Sequence, residues 1–290
     1  MLALEDPQIG ATRVSGWWSG RDESRALAVF LHGLGGSADA PYLMPLAHEM
    51  GARGWSVLRL NLRGADRQSN DFHHAGFLDD LRALWASPAV AGRDTVVLVG
   101  FSLGGHVALR FAAEDRPAPL AAVATISAPL DLEAGAQWLD GGIARWVYRR
   151  YLVRAEIDLY REVARRRPVP VPPERAARAR TIREFDRLVV APRFGFSSAE
   201  DYYARASVAA LLPRLATPSL LLWAEGDPMI PPSTVRPSLH LLPPGARPVF
   251  VPGGGHVLFP ESLDLGEPGR FGLAPQVASW LERARAASEA

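Results

Sequence analysis

The stretch Asp94 to His106, DTVVLVGFSLGGH, limits what this chain can fold into more than any other. Thr95 to Val99 are a continuous apolar, β-branched-rich run, the composition of a strand buried on both faces of a parallel sheet. Gly100 ends the run, and Gly100-Phe101-Ser102-Leu103-Gly104 forms a turn. Val107, Ala108, Leu109, Phe111 and Ala112 then recur at helical spacing. The order is strand, tight turn, helix. A turn this sharp lifts a serine hydroxyl clear of the sheet edge only where its neighbours carry no side chain to collide with the backbone. Gly100 and Gly104 meet that need, and the helix N-terminus behind the serine favours developing negative charge. Ser102 is the candidate nucleophile; the plain alternative is a structural serine in a glycine turn.

At 290 residues, 48% hydrophobic and 22% charged, the chain can bury one sizeable core and suits a single large α/β domain with an insertion. Its net charge of +1 gives no overall reason to expect nucleic acid or an anionic membrane as partner. Cysteine is absent, which excludes disulfides, thiolate zinc sites and a cysteine nucleophile. Glu5 and Asp6 stand where a signal peptide needs a basic and then apolar run, and no apolar stretch approaches ~18 residues. The expectation is no transmembrane segment and a cytoplasmic location. Every basic residue is arginine and none lysine, which with the abundant alanine and proline reads as genomic base composition.

Taken in order, Ala11 to Trp18 reads as a short strand, and Arg25 to Leu31 as the first clear buried strand. It runs into the glycine loop His32-Gly33-Leu34-Gly35-Gly36-Ser37, which lacks the Gly-x-Gly-x-x-Gly spacing and the lysine of a phosphate loop. In a hydrolase the same loop turns a backbone N–H toward a substrate oxygen, so the Leu34 and Leu103 amides form a candidate oxyanion hole. His32 reads as a hydrogen-bonding residue that orients the loop. Ala38 to Arg53 is helix-like, Gly54 to Leu62 a strand, and Arg63 to Gly76 a polar connection. His73 and His74 in that connection have no further ligands at useful spacing, so they read as loop contacts and no metal is expected. Gly76 to Ala86 reads as a helix and Leu120 to Ile126 as another buried strand. Strands alternating with helices make a mostly parallel, doubly wound sheet, with its ligand crevice at the carboxyl ends of the strands.

From residue 131 to about 206 the strand rhythm stops, dividing the chain into a core of residues 1–130 and 207–290 and a helical lid of 131–206. Trp138, Leu139, Ile143, Trp146, Val147 and Tyr151 recur at helical spacing there, either packing a stripe onto the core or lining a substrate pocket. Between Asp131 and Val190 lie thirteen arginines against nine acidic residues. A solvated charged face explains this plainly; attraction to phosphate head groups or acyl-CoA is the functional alternative, and peripheral membrane contact stays open. Pro168 to Pro173, PVPVPP, is a stiff link between two lid helices.

Pro218 to Ala224 resumes the sheet and leads into Glu225-Gly226-Asp227-Pro228-Met229, and Arg247 to Val251 leads into Gly253-Gly254-Gly255-His256. A carboxylate after one late strand and a histidine after the next complete the chain order Ser, Asp, His. Asp227 is preferred because Pro228 fixes the turn behind it, with Glu225 as the alternative. The glycines let the loop bend the His256 imidazole toward Ser102 while Asp227 holds the other ring nitrogen. His32, Phe101, Trp138, Trp146 and Met229 are the candidate pocket residues. A surface helix from Ala274 to Ala287 closes the fold.

His32-Gly33-Leu34-Gly35-Gly36-Ser37, Asn61-Leu62-Arg63-Gly64, His74-Ala75-Gly76 and Gly100-Phe101-Ser102-Leu103-Gly104 resemble the YheT-like branch of the α/β-hydrolases. So do Thr181-Ile182-Arg183-Glu184-Phe185-Asp186, Phe194-Gly195-Phe196 and Asp201-Tyr202-Tyr203 within the insertion. The resemblance covers most of Ala26 to His256. It implies an esterase or lipase acting on carboxylic esters, some relatives taking monoacylglycerols or phospholipids and others making esters by acyl transfer to alcohols. Nucleophile, acid and base map to Ser102, Asp227 and His256. The short N-terminus departs from relatives that carry a membrane anchor. The expected reaction is ester cleavage through an acyl-enzyme on Ser102, with a small-molecule or lipid ester as substrate and no cofactor. An acyltransferase, or a non-catalytic binding protein on the same fold, are the alternatives.

Overall fold

Apolar runs rich in β-branched residues become strands here because the sheet is covered on both faces, so alternate side chains all need apolar partners. The computed structural model describes residues 2–6, 10–20, 24–142 and 145–288. Its strands are β1 (Leu2–Asp6), β2 (Gly10–Val14), β3 (Gly16–Ser19), β4 (Ala26–Leu31), β5 (Ser56–Leu60), β6 (Thr95–Phe101), β7 (Leu120–Ile126), β8 (Ser219–Ala224) and β9 (Ala246–Val251). The seven from β3 to β9 form one sheet in the order β3-β5-β4-β6-β7-β8-β9, parallel throughout except for antiparallel β3 at the edge. The segment expected as one strand over Ala11 to Trp18 divides at Ser15. Gly10–Val14 pairs with β1 as a separate hairpin, while Gly16–Ser19 pairs with β5, because each half meets a different partner.

The helices are α1 (Met44–Ala52), α2 (Asp79–Trp85), α3 (Leu103–Glu114), α4 (Leu132–Asp140), α5 (Trp146–Ala164), α6 (Pro173–Ala176), α7 (Ile182–Phe185), α8 (Ala191–Phe194), α9 (Ala199–Ala206), α10 (Pro232–Val235) and α11 (Leu273–Ser288). Within β4, Leu27, Val29 and Leu31 join a cluster with Leu81 and Leu84 of α2 and Val107 and Phe111 of α3. Ala28 and Phe30 point to the other face, into a cluster with Leu46 and Met50 of α1 and Val277, Trp280 and Leu281 of α11. A third cluster joins α5, α7 and α9 to Phe72, Ala75 and Leu103 of the core. The helices between β7 and β8 therefore sit over the carboxyl edge of the sheet.

Capping marks these inserted helices off. Asp131, Thr181 and Ser198 each accept a hydrogen bond from an amide in the first turn of α4, α7 and α9. The apolar stripe expected to run along one helix from Trp138 to Tyr151 is interrupted. Gly141 takes an extended conformation and Gly142 a φ of 71°, so Trp138 and Leu139 lie on α4 while Trp146, Val147 and Tyr151 lie on α5. Ile143 lies outside the described residues. The carboxylate of Asp140 accepts from the Ile182 and Arg183 amides, at 2.8 and 3.0 Å, tying the end of α4 to the start of α7.

The junction of β6 and α3 is packed too closely, backbone on backbone, to admit a side chain. A Cβ on Gly100 would stand 2.4 Å from the Gly104 carbonyl oxygen, and one on Gly104 2.5 Å from the carbonyl oxygens of both Leu31 and His32. Backbone atoms cannot yield as a side chain can. Gly104→Ala is expected to lower unfolding free energy by about 3 kcal/mol or more. Gly51→Ala, in open space on α1, is expected to raise it by about 0.5 kcal/mol. Urea midpoints of the two variants check this, and equal effects would contradict the packing argument.

Candidate active site

Ser102 lies between the last residue of β6 and the first of α3, with φ 51° and ψ −121°. A non-glycine residue there carries strain of about 1–3 kcal/mol, sustained only where its surroundings over-determine it. Here they do. The Ser102 amide donates to Ile126 O at 2.8 Å, and its carbonyl accepts from the Gly105 and His106 amides at 2.9 and 3.2 Å. His106 is itself clamped between the Pro129 and Ala206 carbonyls at 2.8 Å each.

Asp227 follows β8 and is buried. Its Oδ1 accepts from the Met229 and Ile230 amides at 2.8 and 3.0 Å, closing a tight turn that aims the carboxylate. His256 Nδ1 lies 2.9 Å from Asp227 Oδ2 and 3.1 Å from Oδ1. A carboxylate only accepts, so Nδ1 carries the proton and Nε2 is left as the basic nitrogen. The alternative acid, Glu225, is exposed and paired with Arg236 at 2.5 Å. The His256 loop bends back on itself through Gly255 N to Leu258 O at 2.9 Å, with Gly254 at a φ of 83° where a Cβ would meet Leu258 O at 2.6 Å. Among the described residues no hydrogen bond joins Ser102 Oγ to His256. The serine and the aspartate–histidine pair occupy one edge of the sheet, at the ends of β6, β8 and β9.

The glycine loop after β4 is braced from both sides by His32. Its Nδ1 donates to Gly33 O at 2.8 Å and its Nε2 accepts from the Leu62 amide at 3.1 Å. Burial, followed by the neighbouring His73, pushes His32 down to about 3, so it stays neutral and occupied with holding two loops together. Tyr42 Oη accepts from the Gly33 amide at 2.9 Å. Nothing in the spacing of the sequence singles Tyr42 out. The Leu34 and Leu103 amides donate to no acceptor among the described residues, and both residues border the same cavity as Ser102.

That cavity has a volume of about 110 Å³ beneath the helices between β7 and β8, and its wall is mostly apolar. Ser102, Leu34, Leu103 and Met229 line it, whereas the other four expected pocket residues and the candidate acid and base, Asp227 and His256, do not. His32 and Phe101 are wholly buried behind the wall. Trp138 instead donates from Nε1 to Pro228 O at 2.9 Å, beneath the Arg145 guanidinium at 3.9 Å, and so braces the turn that holds Asp227. His256 lies outside the wall, and Trp146 is the clearest departure. It is 47% exposed and borders a separate hollow of about 610 Å³ with Arg149, Arg150 and Arg154, because the break at Gly141-Gly142 turns α5 away. The wall also contains residues that spacing did not assign to a site: His73, Glu156, Asp186 and Tyr203.

Asp80, in α2, carries no sequence signal of its own. It receives Arg63 Nε and Nη2 on Oδ1 at 2.9 and 2.6 Å, and the Arg63 amide on Oδ2 at 3.0 Å, with both side chains buried. The pair fixes the connection that carries His73 and His74 to the cavity.

Comparison with known proteins agrees with this architecture. A family model described as the alpha/beta hydrolase fold matches residues 29–263. YheT of Escherichia coli (strain K12) is 33% identical over 266 residues, covering 87% of this chain and 75% of that protein. The monoacylglycerol lipase of Saccharomyces cerevisiae is 24% identical over 72% of this chain and 49% of its own length. An esterase from Pyrococcus furiosus superposes with a TM-score of 0.58 at 17% identity, covering 89% of this chain and 82% of that one. The chain thus belongs to the α/β-hydrolase family, in the branch that contains YheT.

Proposed function

We propose that the protein is a serine hydrolase that cleaves carboxylic esters through an acyl-enzyme on Ser102. The observation that carries this reading is the Asp227–His256 pair, with His256 Nε2 left basic on the same sheet edge as the strained Ser102 turn. A relative that is a monoacylglycerol lipase supports the ester as substrate class.

The residues divide the reaction between them. His256 Nε2 takes the Ser102 proton as the hydroxyl oxygen attacks the ester carbonyl, and Asp227 steadies the imidazolium that results. The Leu34 and Leu103 amides, with no acceptor among the described residues, receive the oxyanion at the N-terminus of α3. His256 then gives its proton to the departing alcohol, and water releases the acid by the same steps in reverse. Hydrogen bonds of this kind often tighten only once substrate is bound, which accommodates the open contact between Ser102 and His256. His32, His73, His74 and His106 are all held low by burial, at about 3 or 4, and are poor bases.

Ser102→Ala is expected to lower kcat on a short p-nitrophenyl ester by on the order of 10⁶-fold, by analogy with a dissected serine hydrolase. Near wild-type turnover in that variant would contradict the assignment. Asp227→Asn keeps the shape of the turn but allows the wrong imidazole tautomer. Steady-state kinetics should register a loss of about 10⁴-fold in kcat, and a loss below tenfold would remove Asp227 from its role.

A further inference from the structure

The cavity beside Ser102 is lined on most sides by apolar groups such as Leu132, Leu139, Leu152, Val153, Ile182 and Val190. Two polar side chains in the same wall have hydrogen-bonding capacity that the protein does not use. Glu156, on α5, is 7% exposed, its Oε1 is buried without a partner, and its carboxyl group makes no hydrogen bond among the described residues. His73 is 4% exposed. Its Nδ1 faces the Arg63 carbonyl at 2.9 Å, and its Nε2 is buried with no partner. Each such group left unpaired costs on the order of 1–3 kcal/mol, so two in one cavity mark a place where a ligand supplies what the fold does not.

The chemistry of that ligand follows from the two groups. The Arg63 carbonyl can only accept, so His73 Nδ1 holds the proton and Nε2 offers a lone pair. Burial pushes His73 down to about 4 and keeps the ring neutral. Burial, and then the nearby Asp186, push the Glu156 carboxyl up to about 8, so it holds its proton at neutral pH and can donate. Asp186 accepts from the Tyr203 hydroxyl on Oδ2 at 2.6 Å, and among the described residues no hydrogen bond joins it to Glu156. An acceptor and a donor unused in one apolar cavity complement a hydroxyl, which is both.

The end of the ester that enters is also determined. The departing alcohol must lie against His256 to receive its proton, and His256 is not in the cavity wall, whereas Ser102, Leu34 and Leu103 are. The cavity therefore takes the acyl side. We propose that the acyl chain held in this cavity carries a hydroxyl group, which pairs with the unpartnered Glu156 carboxyl and His73 Nε2. This rests on the serine-hydrolase reading for its orientation, and on the cavity alone for its chemistry.

The test compares ethyl hexanoate with ethyl 3-hydroxyhexanoate, ethyl 6-hydroxyhexanoate and ethyl 6-aminohexanoate. Wild-type protein is read by kcat/KM, and Ser102→Ala by the dissociation constant of the uncleaved ester. At least one hydroxy ester should be preferred over ethyl hexanoate by about tenfold or more in both readouts. Glu156→Leu should abolish that preference and Glu156→Gln, which keeps a donor and an acceptor, should retain most of it. Equal values for the hydroxy and plain esters, or a stronger preference for the amino ester, would overturn the proposal. Hydrolysis without preference defeats this inference and leaves the catalytic reading standing. Selective binding to Ser102→Ala without any hydrolysis by wild type does the reverse.

Discussion

Everything at the carboxyl edge of the sheet depends on how closely β6, α3 and the end of β4 approach one another. No Cβ fits at Gly100 or Gly104, and that contact holds Ser102 at a backbone conformation it would not adopt alone. The strain is sustained by the two buried apolar clusters on either face of the sheet, which fix the strand ends, and by the Ser102 to Ile126 hydrogen bond, which ties the turn to β7. Stability in the core is thus converted into a serine that stands clear of the sheet beside unpaired amides. The rest of the site is assembled around that point.

The histidines show how one residue type is put to different uses by burial and partners. His32 bridges two loops, one ring nitrogen donating and the other accepting, and burial keeps it neutral, while His106 is held between two carbonyl oxygens, so both act as braces. His73 has one nitrogen on a carbonyl and the other unpaired in the cavity. His256 alone faces a buried carboxylate, which sets its tautomer and leaves a basic nitrogen on the outer side. The helices between β7 and β8 add apolar wall, but α5 also brings Glu156 inward, and a π-helical turn over Asp186–Val190 brings Asp186. A cavity that is otherwise oily therefore has polar points.

Much of this was legible in the order of residues, for a physical reason. Strands buried on both faces must be continuously apolar, so β4, β6, β7 and β8 stand out, and a serine between close-packing glycines leaves its own mark. What was not legible depends on tertiary contact. Glu225 and Asp227 are two residues apart, and only the fold buries one against His256 and leaves the other with Arg236. Trp146 keeps helical spacing with Trp138, yet two glycines between them turn it to solvent. Glu156 sits in a helix full of charged residues, where nothing local separates it from exposed neighbours such as Arg154. The strand expected over Ala11 to Trp18 serves two different sheets, which its own pattern does not reveal.

The most direct test of the central claim is to catch the acyl group on the protein. Wild-type protein mixed with a p-nitrophenyl ester and quenched in acid within milliseconds is digested with trypsin and weighed by mass spectrometry. The peptide Asp94–Arg110 should gain the mass of one acyl group, located at Ser102, in step with a burst of nitrophenol. Turnover with no adduct on that peptide, or an adduct on any other residue, would contradict the account.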